Sequence, residues 1–225
     1  MEVCVVMDRI KIVDSINEIL KIKDSYKAPD RIMEIMYNKE ERERIFLKML
    51  DCFERDVSYD WFHVYFENEH ADRKVKKQDY TPDSIATLLA KLTCNNANNL
   101  IYEPTVGTGG ILIKKWWDIL LKDGPFRYDP KNYLFVCEDL SDRSIPFLLL
   151  NLCIRGMNAV VIHGNVLTRE AYGVFFVQNT NNDYLQFSDF NVMPYSEDVE
   201  KELNIKFVEK RYKPHIESEW GDVCD

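Results

Sequence analysis

The chain has 225 residues, 46% of them hydrophobic and 30% charged, with a formal net charge of −9. That length suits one domain with a helical extension or two small domains, and that balance excludes an intrinsically disordered chain. The negative charge disfavours a protein that grips nucleic acid unaided, because phosphate contacts supply most nonspecific affinity.

No apolar run is long enough to span a bilayer, and the first eight residues carry no basic segment, so neither a membrane span nor a secretory leader is expected. The six cysteines stand at 4, 52, 94, 137, 153 and 224 without a C-x-x-C pair. They point to a reducing, cytoplasmic setting, with Cys137 and Cys153 as buried thiols. The four histidines are as scattered, so no metal site is expected.

In chain order, residues 1–77 read as a helical N-terminal region. Ile12, Val13, Ile16, Ile19 and Leu20 fall at helix spacing, as do Ile45, Phe46, Met49, Leu50 and Phe53. Pro29 is placed to open a helix through Ile32, Met33, Ile35 and Met36. Arg73, Lys74, Lys76 and Lys77 form a short basic patch: a solvated loop, or a contact for a nucleic-acid backbone. Thr81 and Pro82 then make a capped helix entrance, with Ile85, Leu88, Leu89 and Leu92 as its buried stripe.

Residues 100–113 hold the most informative stretch. An apolar run ends at Glu103, and Pro104-Thr105-Val106-Gly107-Thr108-Gly109-Gly110 leads into a helical segment through Leu121. Glycines there permit φ > 0 and close approach of backbone to a ligand, and the helix start offers free N–H groups. The G-x-G-x-x-G spacing of dinucleotide sites is missing, and so is the Gly-Lys-Ser/Thr of a P-loop. Trp116 and Trp117 are expected in the core or at an interface.

Tyr133 to Glu138 reads as a second strand, apolar throughout as buried parallel strands are. Glu138 at its end can accept both hydroxyls of a ribose, although a helix-capping or ion-paired acid fits the same place. Ser144 is placed to cap the following helix, whose inner face is Ile145, Leu148, Leu149 and Leu152, and Gly156 is placed to end it in the left-handed conformation. Residues 158–162 form a third strand, followed by a turn at His163-Gly164-Asn165-Val166. Further strand segments lie at 173–178 and around Phe190.

The order Gln78-Asp79-Tyr80-Thr81-Pro82, Tyr102 to Gly110, Glu138, Asn151-Leu152-Cys153-Ile154-Arg155-Gly156 and Gly164-Asn165-Val166-Leu167 resembles the modification subunit of type I restriction systems and related N6-adenine DNA methylases. It is also similar to compact phage and mobile-element methyltransferase-like proteins. The resemblance covers roughly residues 61–167, and four ordered segments, with Glu138 ahead of the third, make it far more specific than any one alone. It implies an α/β fold: a Rossmann-like, S-adenosylmethionine-dependent methyltransferase sheet with helices on both faces, over 78–195, followed by a tail at 196–225. It places Tyr80, Thr81 and Pro82 at the methionine end of S-adenosylmethionine. Glu103, Thr105, Gly107, Thr108, Gly109 and Gly110 would also bind that cofactor. Glu138 would bind the ribose, and Asn165, where the family has aspartate, would lie with Val166 near the adenine.

The resemblance fails downstream. Adenine methylases of this type carry N-P-P-Y or N-P-P-F, whose amide oxygen and backbone carbonyl accept the hydrogens of the target amine while the aromatic ring stacks on an extruded base. The nearest segment here is Asp189-Phe190-Asn191-Val192-Met193-Pro194-Tyr195, so Asn191, Pro194 and Tyr195 are the candidate catalytic residues. Thirty residues follow Tyr195, and they read as a helix and an extended end rather than more sheet. The sheet is therefore contracted, completed by a partner subunit or by a second copy across its open edge. Two readings stand: an enzyme that methylates adenine in DNA, or a catalytically inactive regulator, decoy or inhibitor in restriction and phage defence. A small-molecule or RNA methyltransferase is a third.

Overall fold

The structure, a computed structural model, describes residues 9–63, 65, 99–124 and 126–218. Helices α1 (Arg9–Leu20), α2 (Ala28–Met36) and α3 (Lys39–Cys52) open the chain. Pro29 stands in the first turn of α2, where its missing N–H is harmless. Asn38 caps α3 by accepting from Glu41 N at 3.0 Å. The apolar positions picked out by helix spacing are buried: Ile16, Leu20, Ile32, Ile45, Phe46 and Met49 lie in one core with the sheet residues Phe135, Val161, Phe175 and Phe190.

The sheet follows as β1 (Leu100–Pro104), α4 (Gly110–Asp123), β2 (Leu134–Asp139), α5 (Ser144–Ile154), β3 (Ala159–Asn165), β4 (Glu170–Gln178), β5 (Asp189–Val192), α6 (Glu197–Leu203) and the two-residue β6 (Lys206–Phe207). The strand order is β1-β2-β3-β4-β5, with β6 also on β4. β1, β2 and β3 are parallel; β4 is antiparallel to β3 and β5 antiparallel to β4. The expected α/β architecture is present, and the sheet is mixed. Its strands run in sequence order, so no reversal of order forms a crevice among the described strands.

Two successive right-handed crossovers in one direction put α4 and α5 on the same face. α2 lies against α5, so α5 is sandwiched between sheet and N-terminal helices. All eleven of its residues are buried, which explains why its expected single apolar face does not describe it. Ser144 lies inside α5 and does not cap it. Ser141 accepts from Ser144 N instead, through its backbone oxygen at 3.1 Å and its hydroxyl at 3.3 Å. On the opposite face, Val199 of α6 and Ile205 pack on Ile162, Ala171 and Val174.

Two expectations need correction. Residues 163–165 are not a turn: β3 continues through Asn165, paired with β4 across a bulge at His163/Gly164. Nor is the tail free of sheet. β6 pairs with β4, and His215 bridges Val192. The tail is clasped to α3 by Arg42, whose two terminal nitrogens meet Glu217 at 2.8 and 2.5 Å. Burial alone would raise the Glu217 carboxyl, but the Arg42 hydrogen bond and charge hold it below its ordinary value.

Gly156 ends the helical run at φ +62°, as its place in the sequence foretold, and a Cβ there would stand 2.6 Å from Gln186 O. Gly156→Ala is therefore expected to cost more than the about 1–2 kcal/mol of left-handed strain alone, read as a lowered midpoint in urea with an unchanged m-value.

Candidate functional site

The rim at the C-terminal ends of β1, β2 and β3 is built by register. Pro104 stands opposite Glu138, and Asp139 opposite His163, so the loops leave the sheet at one level. After Pro104 the chain turns through Thr105 (φ 58°), Gly107 (φ 60°) and Gly109 (φ 97°). Gly109 cannot be replaced freely, since its left-handed backbone also brings a Cβ to 3.1 Å from Leu148. The loop is pinned to β2: Val106 N donates to Glu138 O at 3.0 Å, and Gly107 N to Asp139 Oδ2 at 2.7 Å. The other Asp139 oxygen accepts from Ser141 N at 2.8 Å.

Under the loop lies a buried polar network drawn from three parts of the sequence. Thr108 Oγ1 donates to Asp60 Oδ2 at 2.5 Å. Asn151 Nδ2 donates to Asp60 Oδ1 at 2.9 Å and to Thr108 O at 2.8 Å. Arg155 Nη1 donates to Asn151 Oδ1 at 2.8 Å, while its other nitrogens reach Val57 O and Tyr59 O. Burial pulls the Arg155 pKa down to about 10, partly offset by Asp60 and Asp56, so the guanidinium stays charged at neutral pH.

The residues expected at the cofactor site separate into groups. Glu103, Thr105, Gly107, Gly109, Gly110 and Glu138 all stand at the C-terminal ends of β1 and β2, with the Glu103 and Glu138 side chains on opposite faces of the sheet, since Glu103 is in register with Cys137. Glu103 is half-buried, and burial raises its pKa to about 8. Thr108 is 3% exposed and its hydroxyl is committed to Asp60, so it serves the loop's floor. Glu138 is also 3% exposed; it accepts from Tyr102 OH at 2.9 Å and from Arg169 Nη1 at 2.7 Å. Asn165 accepts from Leu167 N and Thr168 N, which sets the hairpin turn, and Val166 follows it half-buried. Tyr80, Thr81 and Pro82 lie outside the described residues, as does the basic patch at 73–77. His163 is buried, with Nδ1 2.6 Å from Tyr212 OH and Nε2 3.3 Å from Leu140 O, and burial lowers its pKa.

The three candidate catalytic residues are elsewhere. β5 is four strand spacings from β1, roughly 19 Å at about 4.8 Å each. Asn191 is fully buried. Its oxygen accepts from Glu217 N and Ser218 N, and its nitrogen donates to Phe176 O and Ser218 Oγ. Those four bonds exhaust the capacity of an amide. Tyr195 OH donates to Tyr172 O and accepts from Tyr212 N, and Pro194 is exposed beside it. The amide oxygen expected to take a substrate amine is thus engaged within the chain.

Sequence reasoning passed over Asp139, Asp60 and Arg169. Asp139 follows Glu138 directly, and alternation along a strand sends the two to opposite faces; that was the available signal. Asn151 and Arg155 were visible only as part of a motif. Among the described residues no three His, Cys, Asp or Glu side chains are grouped to hold a metal, and no helix is long and apolar enough to cross a membrane.

A mixed α/β sheet with a glycine loop after its first strand and an acid closing its second defines a methylase-like chain. The model of the N-6 DNA methylase family matches residues 54–220, and the chain belongs to that family. No curated protein and no solved structure gives a significant match.

Glu103→Gln tests the raised carboxyl. The folded pKa of about 8 lies above the ordinary 4.5, so the unfolded chain releases the proton first and stability drains away as pH rises through that window. The variant is expected to melt higher than wild type at pH 8 and equally at pH 4, the gain being trimmed by the solvent that still reaches this side chain. Asp60→Ala, which strips Thr108 and Asn151 of a charged acceptor, is expected to lose about 3 kcal/mol in denaturant unfolding.

Proposed function

We propose that this protein is a non-catalytic member of the N-6 DNA methylase family, acting as a regulator, decoy or inhibitor in restriction and phage-defence settings, with a rim that takes S-adenosylmethionine. The Asn191 amide carries this reading. Adenine methylation needs an acceptor that draws hydrogen from a poorly nucleophilic amine, and here that amide is buried and saturated on β5, at the opposite edge of the five-strand path from β1. The sequence holds no N-P-P-aromatic segment to replace it.

S-adenosylmethionine, which supplies the electrophilic methyl in this family, fits the rim in part. Gly107, Gly109 and Gly110 carry no Cβ and let the backbone come close, and the first turn of α4 leaves N–H groups that no helical carbonyl can take. Glu103 supplies a carboxyl at the same end. Glu138 fits a ribose by position, but it is buried and each oxygen already accepts one donor, so a diol must compete for it. The charge of −9 calls for a partner chain if DNA is to be engaged.

Family membership itself favours the competing reading, an active adenine-N6 methyltransferase. Incubating the full chain with methyl-labelled S-adenosylmethionine and mixed-sequence duplex DNA separates them. We expect calorimetric binding of the cofactor and no label in DNA; label at adenine N6 would overturn the non-catalytic reading.

A further inference from the structure

Arg169 lies at the end of the β3–β4 turn with φ 60°, a conformation that costs a non-glycine residue about 1–2 kcal/mol. Its backbone is held on both sides: its N–H donates to Asn165 O, and its carbonyl accepts from Lys206 N, each at 2.8 Å. The side chain then runs to three acceptors. Nη1 meets Glu138 Oε2 at 2.7 Å, Nε meets Asn204 O at 2.9 Å, and Nη2 meets Leu203 O at 3.0 Å. The last two are carbonyls at the C-terminal end of α6, which the helix leaves without partners. Tyr102 OH takes the remaining Glu138 oxygen.

We infer that Arg169 is an internal occupant of the ribose place, a residue that sets which ligands the rim accepts. This rests on the reading of the rim as an adenosine site. A ribose diol brings two neutral donors to a carboxylate. Arg169 and Tyr102 already supply two donors to the same two oxygens, one of them charged, and a charge-assisted bond is roughly twice as strong as a neutral one. Glu138 is 3% exposed beneath these two donors, so an adenosine-bearing ligand reaches its oxygens by displacing Arg169 from them. Strain at residue 169, held from both neighbours, fits a place where conformation serves a ligand. The contact also ties β6 and α6 to the rim, so whatever shifts that segment changes access to Glu138.

Isothermal titration of the full chain with S-adenosylmethionine and with adenosine tests this. Arg169→Gln is expected to bind both at least tenfold more tightly than wild type. Tyr102→Phe, which frees the other oxygen and leaves α6 untouched, is expected to gain a few-fold and decides the matter should Arg169→Gln fold poorly. Adding Glu138→Gln to either variant is expected to abolish the gain. Equal affinities in wild type and both variants would overturn the inference while leaving the adenosine site standing. Absence of binding in all of them would remove the site itself, and the inference with it.

Discussion

The carboxylate of Asp60 is the interaction on which the rest depends. It takes the Thr108 hydroxyl and the Asn151 amide, both buried, and Asn151 in turn is held by Arg155. An unpaired buried acid would be ruinous, and a half-satisfied network is worse than an apolar core. The geometry of the glycine loop is therefore set from beneath, by a residue that precedes it by 48 positions and by a helix that follows it. The segment carrying Asp60 must therefore be in place for the loop to keep its shape.

Above that floor the rim is electrostatically closed. Asp139 holds the loop amide of Gly107, and Glu138 is paired with Arg169. Burial pushes the Glu103 carboxyl strongly towards its neutral form. The same rule, satisfy each buried polar group from within, operates at the other end of the sheet. Asn191 holds Glu217 and Ser218, Glu217 holds Arg42, and the tail is thereby fixed across β5 to α3. An amide in that position stabilises a strap and has no capacity left for a substrate.

The sequence made a good part of this legible. Helix spacing located the N-terminal apolar positions, Pro29 and Gly156 marked a beginning and an end, and the ordered motifs foretold the family and the loop after β1. It did less well where pairing is non-local. Nothing in residues 163–165 says that they extend a strand, because that follows from β4 folding back on β3. The tail's contribution to the sheet was hidden for the same reason, since two residues of β6 have no periodicity to read.

What the sequence by itself determined is the local chemistry: which residues turn, cap, end helices or carry charge, and that the amine-binding tetrapeptide is missing. Tertiary structure alone decided which of those groups meet. Glu138, Thr108 and Asn191 looked free to serve a ligand because a side chain's partners come from segments distant in the chain. Once Arg169, Asp60 and Glu217 are folded against them, desolvation demands that these groups pair inside the protein, and a residue's type no longer tells what it is available to do.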